Sequence, residues 1–137
     1  MKYIRETKVM YGDTDSYKVV WHGNYLRWFE EGRFSLCKMA GVNVNELEDK
    51  GIVFPIVDMH VRYKSPAKIF EDIIIESTIT DVKPRTVTFS QCIKNKKSEA
   101  TLVTAEFVCV AVDTFGGKLQ KLPEDIFKAF QNCIEQI

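Results

Sequence analysis

The residues best placed to do chemistry lie in one short run, Tyr11-Gly12-Asp13-Thr14-Asp15, followed closely by Trp21-His22-Gly23-Asn24. A turn aspartate ordinarily spends its carboxylate on nearby backbone N–H groups. Here, however, the acidic turn leads into what reads as the start of a helix, where the first backbone N–H groups have no intrahelical partner. A carboxylate beside such donors is a base or nucleophile next to a site that stabilises a developing oxyanion. On spacing alone, Asp13 and Asp15 are equally eligible. His22 is open to two roles, a capping or packing ring and a general acid or base, and its backbone N–H carries more weight than its ring. Elsewhere the polar residues read as solvated: Arg27 and Glu31 have the i,i+4 spacing of a surface ion pair beside Glu30, and His60 alternates with Asp58 and Arg62 along a strand. No metal-ligand spacing, glycine-rich phosphate loop or nucleophile elbow is found.

The elements that must hold this run follow from periodicity. Residues 2 to 11 read as a first strand, with Thr7, Val9 and Tyr11 on one face. From about Asn24 to Ala40, Tyr25, Phe29, Gly32, Leu36 and Met39 follow a helical stripe that Leu26, Trp28, Phe34 and Cys37 widen, which predicts a long, largely enclosed central helix capped at Gly41. A polar connection through Asn43, Asn45 and Glu48 reaches Gly51. Val53 to Lys64 then alternates, with Val53, Pro55, Val57, Met59, Val61 and Tyr63 on a buried face. Residues 72 to 81, 85 to 94 and 100 to 113 are further strands, with links short enough for hairpins. Pro123, Glu124 and Asp125 open a closing helix with the stripe Ile126, Phe130, Cys133 and Ile137. The order strand, long helix, four-strand meander, short helix is an α+β domain whose sheet has to wrap around one helix. One helix leaves sheet edges and a second face uncovered, so a homodimer is expected.

At 137 residues the chain is one domain, 1 to 137, with 45% hydrophobic and 28% charged residues. Nineteen basic and nineteen acidic residues cancel, which argues against a nucleic-acid partner. Cys37, Cys92, Cys109 and Cys133 show no paired spacing and read as buried free thiols. The charged start Met1 to Lys8 is neither a signal peptide nor a membrane span, so a cytoplasmic address is the expectation.

The run Tyr11-Gly-Asp-Thr-Asp15 with Val19-Val-Trp-His-Gly-Asn-Tyr-Leu-Arg-Trp-Phe-Glu-Glu-Gly-Arg33 resembles the signature of hotdog-fold acyl-CoA thioesterases of the 4-hydroxybenzoyl-CoA thioesterase type. Phe54-Pro-Ile-Val57 and Val61-Arg-Tyr-Lys-Ser-Pro-Ala67 resemble that family's second strand and its exit. The resemblance implies a five-stranded, or slightly larger, antiparallel sheet around one long helix. It implies hydrolysis of an acyl-CoA to free acid and coenzyme A, with no cofactor beyond the coenzyme A of the substrate and no metal. The family's catalytic aspartate falls on Asp15, as general base or as nucleophile, its oxyanion donor on the backbone N–H of His22, and its helix-start aromatic on Tyr25. Asp13 becomes structural.

Ser16-Tyr17-Lys18 departs from the small residues, often ending in glycine, that the family usually carries there, which places Tyr17 at the pocket mouth. Phe29, Lys64 and Arg85 are further substrate-binding expectations, and Lys83, Lys96 and Lys97 share with Lys64 and Arg85 the candidacy for the coenzyme A phosphates. The resemblance places the pantetheine groove at a dimer interface, within a homodimer or a dimer-of-dimers tetramer. Two alternatives stand beside the acyl-CoA thioesterase: an acyl-[acyl carrier protein] thioesterase and a non-catalytic hotdog domain that binds acyl-CoA.

Overall fold

The computed structural model describes residues 1–134. Its strands are β1 (Lys2–Lys8), β2 (Ile52–Val53), β3 (Ile56–Tyr63), β4 (Asp72–Val82), β5 (Thr86–Asn95), β6 (Thr101–Val110) and β7 (Val112–Asp113); its helices are α1 (His22–Met39), α2 (Val44–Asp49) and α3 (Glu124–Cys133). Five strands form one antiparallel sheet in the order β1-β4-β5-β6-β3, and β2 pairs with β7. The sheet and the long helix form the expected α+β hotdog arrangement.

Alternation in β4, β5 and β6 sends Ile73, Ile75 and Ile79, Val87, Phe89 and Ile93, and Val103, Ala105 and Phe107 to one buried face. That face receives Tyr25, Trp28, Phe29, Leu36 and Cys37 from α1, and Phe29 meets Phe107 edge-on with ring centres 5.7 Å apart. Ser77 and Gln91, opposite each other in register, are the buried polar residues of this core. Gln91 Nε2 donates to Ser77 Oγ (2.7 Å) and to the Phe29 carbonyl (2.8 Å), and Arg33 Nη1 donates to Gln91 Oε1 (3.1 Å). Gly32 is what allows the helix so close, since a Cβ there would lie 2.3 Å from Ser77 Oγ.

Several expectations are corrected. The first strand ends at Lys8; the chain buries Val9 and then turns through a single 3-10 turn, Tyr11–Asp13, which leaves Tyr11 69% exposed. The four later strands are not one meander. After β3 the segment 65 to 71 pairs back toward the first strand: Val20 N–H donates to the Ala67 carbonyl, Ile69 N–H to Lys18 and Val9 N–H to Glu71. That return delivers β4 beside β1 and leaves β3 at the far edge, bonded to β6. Phe54-Pro55 separates β2 from β3, because proline has no N–H for a ladder, and the strand expected over 100 to 113 breaks at Ala111 into β6 and β7. The polar connection after α1 contains α2, whose first turn is capped by Asn43 Oδ1 accepting from Asn45 and Glu46 N–H. Gly41, at φ +88°, is the left-handed residue just beyond the Ala40 cap of α1. In α3, Ile126, Phe130 and Cys133 are buried, and Ile137 lies outside the described residues. Cys92 is half-buried rather than buried, and all four thiols are free. Among the described residues, no helix is long and apolar enough to cross a membrane.

Candidate active site

The two aspartates part company here. Asp13 uses both carboxylate oxygens: Oδ2 accepts from Met10 N–H (2.9 Å) and Oδ1 from Asn24 Nδ2 (3.1 Å), while its carbonyl accepts from Trp21 N–H (3.0 Å). It fastens the acidic turn to the first turn of α1. Asp15 opens a tight hairpin in which Lys18 N–H donates to its carbonyl and its own N–H donates to Val19. One carboxylate oxygen, Oδ1, accepts from Tyr17 N–H (2.8 Å), and among the described residues Oδ2 has no partner. Lys18 sits at φ +61°, a left-handed position that glycine fills without strain.

The start of α1 is open. Trp21 gives no side-chain cap, Asn24 N–H donates back to the Trp21 carbonyl, and the N–H groups of His22 and Gly23 find no acceptor among the described residues. Two bonds orient this end. Tyr63 Oη donates to the His22 carbonyl (3.0 Å), and Tyr25 Oη accepts from Ala67 N–H (3.0 Å). The three rings Trp28, Tyr25 and Tyr63 follow one another, edge-on and then tilted, with centres 5.8 and 5.7 Å apart. Burial, opposed by the Ala67 bond, raises the Tyr25 phenol above its ordinary pKa, and burial also raises Tyr63. Both stay protonated at neutral pH.

The remaining site expectations divide. Tyr17, 85% exposed, stands beside Asp15, and Lys64 is exposed just past β3 at the same end of the sheet. Tyr25, the helix-start aromatic, is 2% exposed, and its hydroxyl accepts from Ala67 N–H. Phe29 is fully buried against Phe107 and belongs to the core. Arg85 lies in the β4–β5 hairpin, at the opposite end of the ten-residue β5, so within one protomer it is roughly 30 Å from the Asp15 end. Lys83 is at Arg85's end, close to Asp81, and Lys96 is paired with Glu6 at 2.8 Å. Sequence reasoning did not single out Asn24 as the tie to Asp13, nor the Tyr63 hydroxyl, although Tyr63 was in phase with the inner face of its strand.

Residues 9–130 match the family model described as the thioesterase-like superfamily. The chain belongs to that superfamily. It is 32% identical over 112 residues to YneP of Bacillus subtilis, provisionally named an acyl-CoA thioesterase, covering 81% of each chain. It is 30% identical over 125 residues to the acyl-CoA thioester hydrolase YbgC of Escherichia coli, covering 90% of this chain and 92% of that one. Among solved structures, a DHNA-CoA thioesterase from Staphylococcus aureus superposes with a TM-score of 0.89 at 23% identity, over 96% of this chain and 89% of that one, a likeness of fold.

This thioesterase-like chain also holds a cavity of about 410 Å³ away from Asp15, on the C-terminal half of α1. Phe34, Val53, Phe54, Val87, Phe89 and Phe130 give it apolar walls, and Glu30, Arg33 and Glu48 also line it. Arg33 is half-buried with its guanidinium 4.2 Å over the Phe107 ring, and burial pulls its pKa below the ordinary value.

Proposed function

We propose that the protein hydrolyses acyl-coenzyme A thioesters, with Asp15 as general base or nucleophile and the open N–H at His22 as oxyanion donor. The observation that carries this reading is the division of labour at the acidic turn. Asp13 has no carboxylate oxygen left, whereas Asp15 keeps Oδ2, and the bond from Trp21 N–H to Asp13 holds the uncapped helix start alongside. Family membership and the likeness to YbgC supply the substrate class. In the general-base route Asp15 takes a proton from water, the water oxygen bonds to the thioester carbon, and the carbonyl oxygen gathers charge toward the His22 N–H. Collapse breaks the C–S bond, and the coenzyme A sulfur leaves and is protonated. In the nucleophilic route Oδ2 bonds to the carbonyl carbon, the C–S bond breaks and the coenzyme A sulfur leaves and is protonated, and water then cleaves the mixed anhydride to the free acid and the Asp15 carboxylate. One oxyanion donor of this kind is worth ~3 kcal/mol.

The working unit is a homodimer joined along β3. The inner face of that edge strand is apolar yet uncovered, with Met59 and Tyr63 at 50% and 48% exposure, and its outer backbone edge has no neighbour among the described residues. A second copy related by a two-fold axis would pair antiparallel with it and cover that face.

The test is thiol release from acyl-CoAs of varied length and aromaticity, with Asp15→Asn beside the wild type. The expected result is turnover of at least one thioester and a loss of about 100-fold or more in the variant. Equal rates would remove Asp15 from the mechanism, and no turnover by the wild type would leave a binding domain.

A further inference from the structure

β3 meets the start of α1 through the Tyr63 hydroxyl, which donates to the His22 carbonyl at 3.0 Å. As a fastener this bond is redundant. Trp21 N–H on the Asp13 carbonyl, Asn24 Nδ2 on Asp13 Oδ1, Val20 N–H on the Ala67 carbonyl and Ala67 N–H on Tyr25 Oη already tie this end of the helix to the acidic turn and to the segment after β3. The His22 carbonyl has no need of a second donor either, since a carbonyl in the first turn of a helix takes the N–H four residues on, here that of Leu26.

What the bond changes is the peptide group it touches. The carbonyl of His22 and the N–H of Gly23 belong to one planar, conjugated unit. A donor at the oxygen draws electron density from the nitrogen and makes that N–H a stronger donor in turn, as bonds in a chain strengthen one another. Gly23 N–H lies beside the His22 N–H at the open helix start and has no acceptor among the described residues. Both partners of the bond are held in place. Tyr63 leaves a strand whose next two N–H groups, those of Lys64 and Ser65, donate to the Leu102 carbonyl, and its ring packs against that of Tyr25 with centres 5.7 Å apart. On the helix side the Trp21 ring lies over Gly23, where a Cβ would be 2.3 Å from Trp21 Cζ3, so only glycine admits it. Burial raises the Tyr63 phenol, which therefore keeps the proton it donates at neutral pH.

We propose that Tyr63 is a positioning residue for the hydrolysis: its hydroxyl orients and polarises the His22–Gly23 peptide, so that Gly23 N–H joins His22 N–H as a second oxyanion donor. The inference rests on the thioesterase reading and adds to it a side chain that acts through the backbone. Its size follows from two magnitudes. A direct oxyanion donor is worth about 100- to 1000-fold in kcat, and one bond strengthens the next by about 10–30%. The polarising bond is thus worth about two- to eightfold in kcat.

The experiment measures kcat and KM on acyl-CoA thioesters for the wild type, for Tyr63→Phe and for a protein carrying 3-fluorotyrosine at position 63, at a pH where the fluorinated phenol is still protonated. Tyr63→Phe keeps the ring and removes the donor. It should lower kcat and kcat/KM by the same factor, with KM unchanged, the pattern of an interaction felt only in the transition state. The more acidic fluorinated phenol is a stronger donor and should raise kcat above wild type, whereas a merely structural bond would not track acidity. The Gly23 amide proton, followed by NMR, should move upfield in Tyr63→Phe, because the ring stays while the polarising bond goes. An unchanged kcat in Tyr63→Phe, a loss confined to KM, a fluorotyrosine protein no faster than wild type, or an unmoved Gly23 resonance each overturns the proposal. If the wild type turns over no thioester, the thioesterase reading fails and takes this role with it; turnover with an indifferent Tyr63→Phe overturns the role alone.

Discussion

Gly32→Ala tests the packing that joins α1 to the sheet. A Cβ at residue 32 would lie 2.3 Å from Ser77 Oγ and 2.9 Å from Gln91 Nε2, so helix or sheet must yield. In a solvated helix the change would stabilise by about 1 kcal/mol. Against that, overpacking costs about 1–3 kcal/mol, and driving Gln91 off the Phe29 carbonyl leaves a buried donor unpaired at a further ~1–3 kcal/mol. The clash wins, with a net loss near 3 kcal/mol, or roughly 6–12 °C in Tm for a domain of this size. Calorimetric melting and urea midpoints measure it. An unchanged or higher Tm would refute the close approach. A double variant with Ser77→Ala should be less destabilised than the sum of the single changes by about 1 kcal/mol or more, because the 2.3 Å contact is gone; strict additivity would place the damage elsewhere.

Three further outcomes are expected. Met59→Glu puts a charge on the uncovered inner face of β3 and should convert a dimer to monomers in sedimentation; a wild type already monomeric, or a variant still dimeric, would exclude the β3 interface. Burial, reinforced by the neighbouring Cys109 and Cys133 thiols, pushes Cys37 up to about 12, and burial together with the Glu76 carboxylate pushes Cys92 up to about 11. A thiol reagent at neutral pH should therefore modify these two only after unfolding, and their rapid labelling in the native protein would contradict that packing. Burial alone would raise Glu76, but bonds from Cys92 and Lys94 and the charges of Lys2 and Lys94 outweigh it and hold the carboxyl below its ordinary value. A depressed carboxyl stabilises the fold above the unfolded-state pKa and loses that contribution as pH falls through the folded-state pKa. Glu76→Gln should thus flatten the acid limb of a stability–pH curve, and an unaltered limb would show that Glu76 is not part of it.

The long helix, the strands after residue 70 and the acidic turn were legible because each is a local pattern: a 3.6-residue stripe, period-two alternation, a turn beside a helix entry. What the sequence hid depends on which element covers which face. Phe29 and Tyr25 lie on the helix stripe, and periodicity does not say whether such a ring meets a ligand or a strand; Phe107 and Ala67 answer for the protein. Arg85 read as a rim cation because a linear list carries no sheet ends, and β5 places it opposite Asp15. Ser77 and Gln91 were visible as polar residues in phase with Ile75, Ile79, Phe89 and Ile93, a signal that points to a buried polar pair. Asn43 with Glu46 three residues on is a cap pattern that announces α2.

β3 carries the most informative mismatch. The phase of its alternation holds from Met59 onward, where Met59 and Val61 stand opposite the buried Phe107 and Ala105; before it, the bulge between Ile56 and Asp58 breaks the phase, and Ile56 stands opposite the buried Cys109. What differs is the cover, since α1 lies mainly against β1 and β4 and meets β3 at Tyr63, leaving Met59 half exposed. A strand with an apolar inner face that its own protomer leaves exposed is suited to cover by a further surface. The simplest such surface is the same strand in a second copy, because an isologous pair satisfies the free backbone edge and the apolar face at once. A pair built in this way would cover the free edge and the apolar face of β3 with one contact, and a charge at Met59 would oppose both gains together, which is why that one substitution is expected to separate the copies.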